Sequence, residues 1–163
     1  ASHLGGVEPR FGKMTAQSAS VLVNNDEVTN ASILVDMNSL TVENFVDDVE
    51  STTKLTGHLL SPDLFNTEAF PTSKFELTNI AEGTGEYNSS ITGNLTILET
   101  TKSITFNANV TVSGDEVSVV SEDFAIVRQD WGIIYHTEGD EGVPGEYVIA
   151  NDIGFTINLT VSK

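Results

Sequence analysis

The sequence predicts an all-β fold: an antiparallel, lipocalin-like barrel of about eight strands with one short helical insertion. Three observations carry that expectation. Apolar and polar residues alternate with period two over several long stretches. A single stretch, Thr41 to Phe70, breaks the alternation. The dry faces of the most regular stretches are aliphatic or aromatic and hold no Asp, Glu, Lys or Arg. Half-buried antiparallel strands of this kind need either a second sheet or closure to remove their edges.

In chain order, less regular strands are expected at about 15–23 and 28–37. The insertion follows, with apolar residues at Phe45, Val46, Val49, Leu55, Leu59, Leu60, Leu64 and Phe65. That spacing is nearer to helical than to alternating, and Ser61-Pro62-Asp63 has the form of a helix restart, so one or two short helices are expected. The acids Asp47, Asp48 and Glu50 read as a solvated first helical turn rather than a catalytic pair. A further strand is expected at 73–81, and Gly83-Thr84-Gly85 reads as its hairpin turn. From Tyr87 to Ile97 the odd positions are largely apolar; from Ile104 to Val112 the even ones are. Ser113-Gly114-Asp115 reads as the next hairpin turn, leading into a strand at 116–127. The last strand, 153–161, alternates Ile153, Phe155, Ile157, Leu159 and Val161 with Gly154, Thr156, Asn158 and Thr160.

Length and composition bound the function. The 163 residues suit one domain spanning 1–163, long enough to bury a core or enclose a cavity. Seven basic against 24 acidic residues give a net charge of −17. Such a surface repels phosphate backbones and anionic lipid headgroups, so nucleic acid is not an expected partner. No apolar run is long enough for a membrane-spanning helix. With no cysteine, disulfide frameworks, thiolate metal sites and cysteine nucleophiles are excluded together. No G-x-S-x-G and no glycine-rich phosphate loop occurs, so an enzyme is not expected, and neither is a catalytic cofactor. Three scattered histidines, His3, His58 and His136, lack metal-ligand spacing. The loop Glu138-Gly139-Asp140-Glu141-Gly142 lacks the spacing of a twelve-residue calcium loop. The opening Ala1-Ser2-His3-Leu4 reads as a processed or trimmed start. Five Asn-x-Ser/Thr sequons, at Asn30, Asn88, Asn94, Asn109 and Asn158, read as exposed strand faces.

Several segments, in order, carry a resemblance. Ser32 to Leu40 (SILVDMNSL), Gly57 to Phe65 (GHLLSPDLF) with Phe70-Pro71 and Phe75, Tyr87 to Thr105, and Arg128-Gln129-Asp130-Trp131-Gly132-Ile133 together resemble the YceI-like family. His3-Leu4-Gly5 with Phe11 is similar to that family's first-hairpin region. The resemblance implies an extended eight-stranded barrel whose interior takes a long isoprenoid lipid or isoprenoid quinone. It also implies a periplasmic or secreted location and, in several members, a homodimer. Two departures stand out: only two residues precede the His-Leu-Gly element where the family has a first strand of about a dozen, and Glu99 and Leu64 replace a common Gly and Phe.

On residues alone, the dry faces make a self-filled core or the wall of a cavity equally well; the resemblance favours the cavity. The wall candidates are Phe75, Leu77, Ile91, Leu95, Ile104, Phe106, Phe124, Ile126, Ile157 and Leu159, with Leu55, Leu59, Leu60 and Phe65 of the insertion capping one mouth. His58 either meets a ligand headgroup or pairs with Asp63 to fix the insertion. Arg128 either binds a phosphate or quinone oxygen or pairs with Asp130 at a strand end, with Trp131 beside it as a ligand contact or a core plug. With so few basic residues, a neutral quinone, other prenyl lipid or fatty chain fits better than a pyrophosphate. The competing reading is an extracellular β-sandwich that binds carbohydrate or protein through its surface.

Overall fold

A computed structural model describes residues 10–45 and 47–162; His3, Leu4, Gly5 and Val46 lie outside them. Nine strands and one helix follow in the order β1 (Gly12–Asn24), β2 (Glu27–Val42), α1 (Val49–Leu60), β3 (Thr72–Glu82), β4 (Ser89–Ile97), β5 (Thr100–Ser113), β6 (Glu116–Ser121), β7 (Phe124–Val127), β8 (Asp152–Phe155) and β9 (Asn158–Ser162). Seven of them form one antiparallel sheet, ordered β1-β2-β3-β4-β5-β6-β9, and β7 pairs with β8 alone. The large sheet curls until β1 and β9 lie side by side, and no ladder joins them among the described residues. The fold is thus a nearly closed barrel with a seam, rather than eight strands in a complete ring.

Local chemistry sets the register. Asn25 and Asp26 both take positive φ, 52° and 63°, and so make the two-residue turn between β1 and β2. Gly114, at φ 56°, does the same for β5 and β6. The β4–β5 turn instead places Leu98 at φ 53°, a conformation that costs a branched side chain energy. At the β4 entrance, Asn88 Nδ2 donates to the Val110 carbonyl while Asn88 Oδ1 accepts the Val110 N–H, both at 2.9 Å. A side-chain amide therefore extends the ladder by one rung.

The alternation in β1 and β2 is irregular because the pairing shifts register three times, between Lys13 and Thr15, Ala16 and Ser18, and Leu22 and Val23. Two predicted strands are each split. The 116–127 strand breaks after Ser121 and the 153–161 strand after Phe155, so β6 and β9 stay in the large sheet while β7 and β8 leave it. Ser121 makes the corner: its N–H donates to the Ile157 carbonyl (2.9 Å), and its Oγ accepts the Ile157 N–H (2.8 Å) and donates to the Glu122 carbonyl (2.7 Å).

The insertion contains one helix, not two. Asp48 caps α1, accepting the Ser51 N–H at 3.0 Å and the Ser51 hydroxyl at 2.6 Å. The acids before the helix thus include its cap. Glu50 and Lys54 pair one turn apart at 2.6 Å. Ser61-Pro62-Asp63 begins no second helix, because the chain turns back on itself: the Phe65 N–H reaches the Leu59 carbonyl, the Asn66 N–H the Ser61 carbonyl and the Thr67 N–H the Leu60 carbonyl.

The barrel therefore has two unlike ends. Three hairpin turns, β1–β2, β3–β4 and β5–β6, close one of them. The other carries α1 and the 122–157 excursion that holds β7 and β8.

A lined cavity with one polar end

A cavity of about 720 Å³ occupies the barrel interior, within the range of small-ligand sites. Its wall is the inward face of the large sheet. Phe75 and Leu77 of β3, Ile91 and Leu95 of β4, Ile104 and Phe106 of β5 and Leu159 of β9 all line it, as do Phe124 of β7 and Ile157. Leu55, His58 and Leu59 reach it from α1 and Phe65 from the turn that follows, so the insertion covers one end.

Four phenyl rings cross from the large sheet to the small one. Centroid distances are 5.9 Å for Phe75–Phe106, 4.6 Å for Phe106–Phe124, with rings nearly parallel, and 5.7 Å for Phe124–Phe155. Gly93 makes room for the first ring: a Cβ there would meet Phe75 Cζ at 2.2 Å.

Ile126, an expected wall residue, and Trp131, expected as a ligand contact or a core plug, do not line the cavity. They pack in a buried cluster with Leu64, Ile97 and Ile133, which themselves border the cavity. Trp131 is held there by its indole N–H, which donates to the Leu95 carbonyl at 3.0 Å. It is the core plug of the two alternatives. Leu60 is also absent from the lining.

Arg128 lines the cavity but is 1% exposed, and it does not pair with Asp130, which is exposed. Its guanidinium donates to four main-chain carbonyls: Ala150 through Nε (3.0 Å), Ile133 through Nη1 (2.8 Å), and Ile149 (3.0 Å) and His136 (3.4 Å) through Nη2. Burial lowers its pKa below the ordinary arginine value, while the Asp140 and Glu138 carboxylates push it back up. Those acids are themselves engaged: Asp140 accepts the Thr137 N–H and hydroxyl, and Glu138 the Asn151 N–H.

His58 pairs with Asp63, the second of its two expected roles, and its ring also lines the cavity. Its Nε2 lies 3.3 Å from Asp63 Oδ2, and its ring meets Tyr135 edge-on at 4.9 Å on the cavity side. Tyr135 in turn stacks on His136 at 3.9 Å. The expectations from sequence passed over Tyr135, His136, Ile149 and Ile153, which come from the excursion, and the β1–β2 face with Val21, Ala31, Ile33, Val35 and Met37. In β2, Ala31, Ile33, Val35 and Met37 fall at every second position, a signal blurred by the apolar Leu34 between them; the lining residues of the excursion follow no period.

A curled antiparallel sheet around an apolar interior, covered at one end by a helix and an irregular segment, defines the class: a lipocalin-like barrel with an internal cavity. The YceI-like domain model matches residues 1–161, and the chain belongs to that family. Among solved structures it resembles the Campylobacter jejuni YceI protein, with a TM-score of 0.67 and 17% identity over 100% of this chain and 91% of that one. A mutant of that protein holding a monobromobimane guest gives 0.69 and 16% over the same shares. Burkholderia cenocepacia BcnA gives 0.66 and 18%, over 89% of this chain and 83% of that one. No match is found among curated protein sequences.

Proposed function

We propose that the protein binds a long-tailed amphiphile of the isoprenoid lipid or isoprenoid quinone class inside the barrel, and sequesters or carries it without chemical change. The observation that supports this most is the apolar cavity itself, with Phe106 and Ile91 among its walls. The driving force is burial. At about 25 cal/mol per Å², a tail hiding roughly 300 Å² contributes about 7 kcal/mol before association costs. Family membership supports the ligand class, and an exported, periplasmic or secreted location belongs to the same reading. No helix among the described residues is long and apolar enough to cross a membrane. The surface-binding alternative loses its best sugar-stacking group, because Trp131 is 3% exposed.

Native mass spectrometry of the purified protein, followed by organic extraction, tests the proposal and reports whether copies pair as homodimers. A stoichiometric prenyl lipid or quinone is the expected result. A bare mass that stays bare after incubation with prenyl lipids would overturn it.

A further inference from the structure

The cavity is chemically lopsided. Of its polar lining residues, those that are not exposed are Arg10, His58, Ser73, Arg128, Tyr135 and His136, and all six lie at the α1 end. The hairpin end is lined by Val21, Val28, Ile80, Val110, Val117 and Val161. One of the six is unlike the rest. The side-chain hydroxyl of Ser73, at the start of β3 and 8% exposed, has no hydrogen-bond partner among the described residues. The other buried polar side chains, Thr67, Ser89, Ser121, Arg128 and Thr137, all have one. A buried hydroxyl without a partner is costly, and one lining a ligand cavity is met when a ligand oxygen arrives.

The cations of the lining are already engaged. Lys13 sits 2.7 Å from Glu43, Arg10 lies over the Phe45 ring at 4.6 Å, and Arg128 holds its four carbonyls. His58 faces the Asp63 carboxylate. With a chain charge of −17 behind them, these groups offer an incoming anion little.

We infer that the cavity takes its amphiphile in one direction: an uncharged, oxygen-bearing headgroup (alcohol, ketone or amide) rests at the α1 end and bonds Ser73, while the tail runs to the valine-lined hairpin end. This deepens the proposed function and rests on it. It favours a neutral headgroup over a phosphate or carboxylate.

Three probes with one branched tail separate the possibilities: phytol, phytanic acid at pH 8 and the hydrocarbon phytane, competed on the intact protein and read by native mass spectrometry. Phytol is expected to bind about ten-fold more tightly than either. Ser73→Ala should cut its advantage over phytane about five-fold and leave phytane binding unchanged. Preference for phytanic acid, or equal weakening of all probes by Ser73→Ala, overturns the headgroup assignment while the cavity reading stands. Failure of every probe to bind overturns the proposed function as well. Direction is read separately through the single tryptophan, Trp131, which sits at the α1 end. A long-chain alcohol brominated beside its hydroxyl should quench it more than one brominated at the far end; the reverse order overturns the direction.

Discussion

The large sheet and the 122–157 excursion solve the same problem by opposite means. In the sheet, each strand from β2 to β6 is held along both edges by main-chain ladders, and side chains are free to form the cavity wall. The excursion, which with α1 covers one end of the cavity as a lid, has one short ladder, β7 with β8. Elsewhere it is tied by scattered bonds such as Ile149 N–H to the His136 carbonyl and Glu138 with Asn151, and above all by Arg128, which joins residues 133 and 136 to 149 and 150. Continuous ladders hold the wall; in the lid a single buried side chain carries four of the ties. Substitutions in the wall should therefore act mainly on the ligand, and one substitution in the lid should act mainly on the fold.

The sharpest contrast pits the dry face of β5 against its wet face. Phe106→Glu puts a carboxylate into the ring row, and retention of extracted amphiphile should fall at least a hundred-fold. Thr105→Glu, on the exposed face next door, should leave retention intact. Equal loss from both would break the division between wall and surface. Arg128→Met comes next. It removes four hydrogen bonds, leaving only the His136 carbonyl with another donor among the described residues, the Ile149 N–H, and should lower unfolding stability by about 4 kcal/mol in urea titration. Thr101→Val, which removes a 2.7 Å hydroxyl contact with Thr96 on the sheet, should cost under about 1 kcal/mol. If the two costs proved alike, Arg128 would not be what holds the lid. Gly93→Ala should cost about 2 kcal/mol and shift the Phe75 ring, seen as altered aromatic NMR shifts.

The smallest effect belongs to the α1 cap. The Ser51 hydroxyl and N–H lower the Asp48 pKa below its ordinary 3.8, so the folded state favours the carboxylate. The cap's contribution is therefore complete above that value and disappears as pH falls through the lower folded-state pKa. Asp48→Ala should reduce helical circular dichroism at pH 7 and remove that acid dependence.

Legibility in the sequence follows the same division. Alternation revealed β4 and β5 and much of the wall, because a strand with one wet face writes its fold into period two, and β3 was legible as a less regular strand. At 116–127 the apolar phase moves from Val117 and Val119 to Phe124 and Ile126, a shift that the expectation of one strand overlooked. Alternation misled at 153–161, where it runs on through Ile157 while the chain changes sheets, a choice made by hydrogen bonds between distant residues. The same limit explains Ile126 and Trp131: apolar residues drawn into a buried cluster by Leu64 from the turn after α1 and Ile97 from β4. Arg128 was visible as a rare buried cation only after its four carbonyls had been brought together, since they lie 5 to 22 positions along the chain.

The seam has a consequence for handling the protein in concentrated solution. β1 and β9 each keep one edge without a ladder among the described residues, and such edges are templates for joining copies end to side. At a charge of −17, each molecule carries its own repulsive cloud, which reaches about 10 Å in 0.1 M salt and shrinks to about 3 Å in 1 M. Colloidal behaviour should consequently run opposite to that of a protein held apart by hydration alone. Moderate salt should raise the second virial coefficient's attractive part, and light scattering should register larger particles as ionic strength climbs.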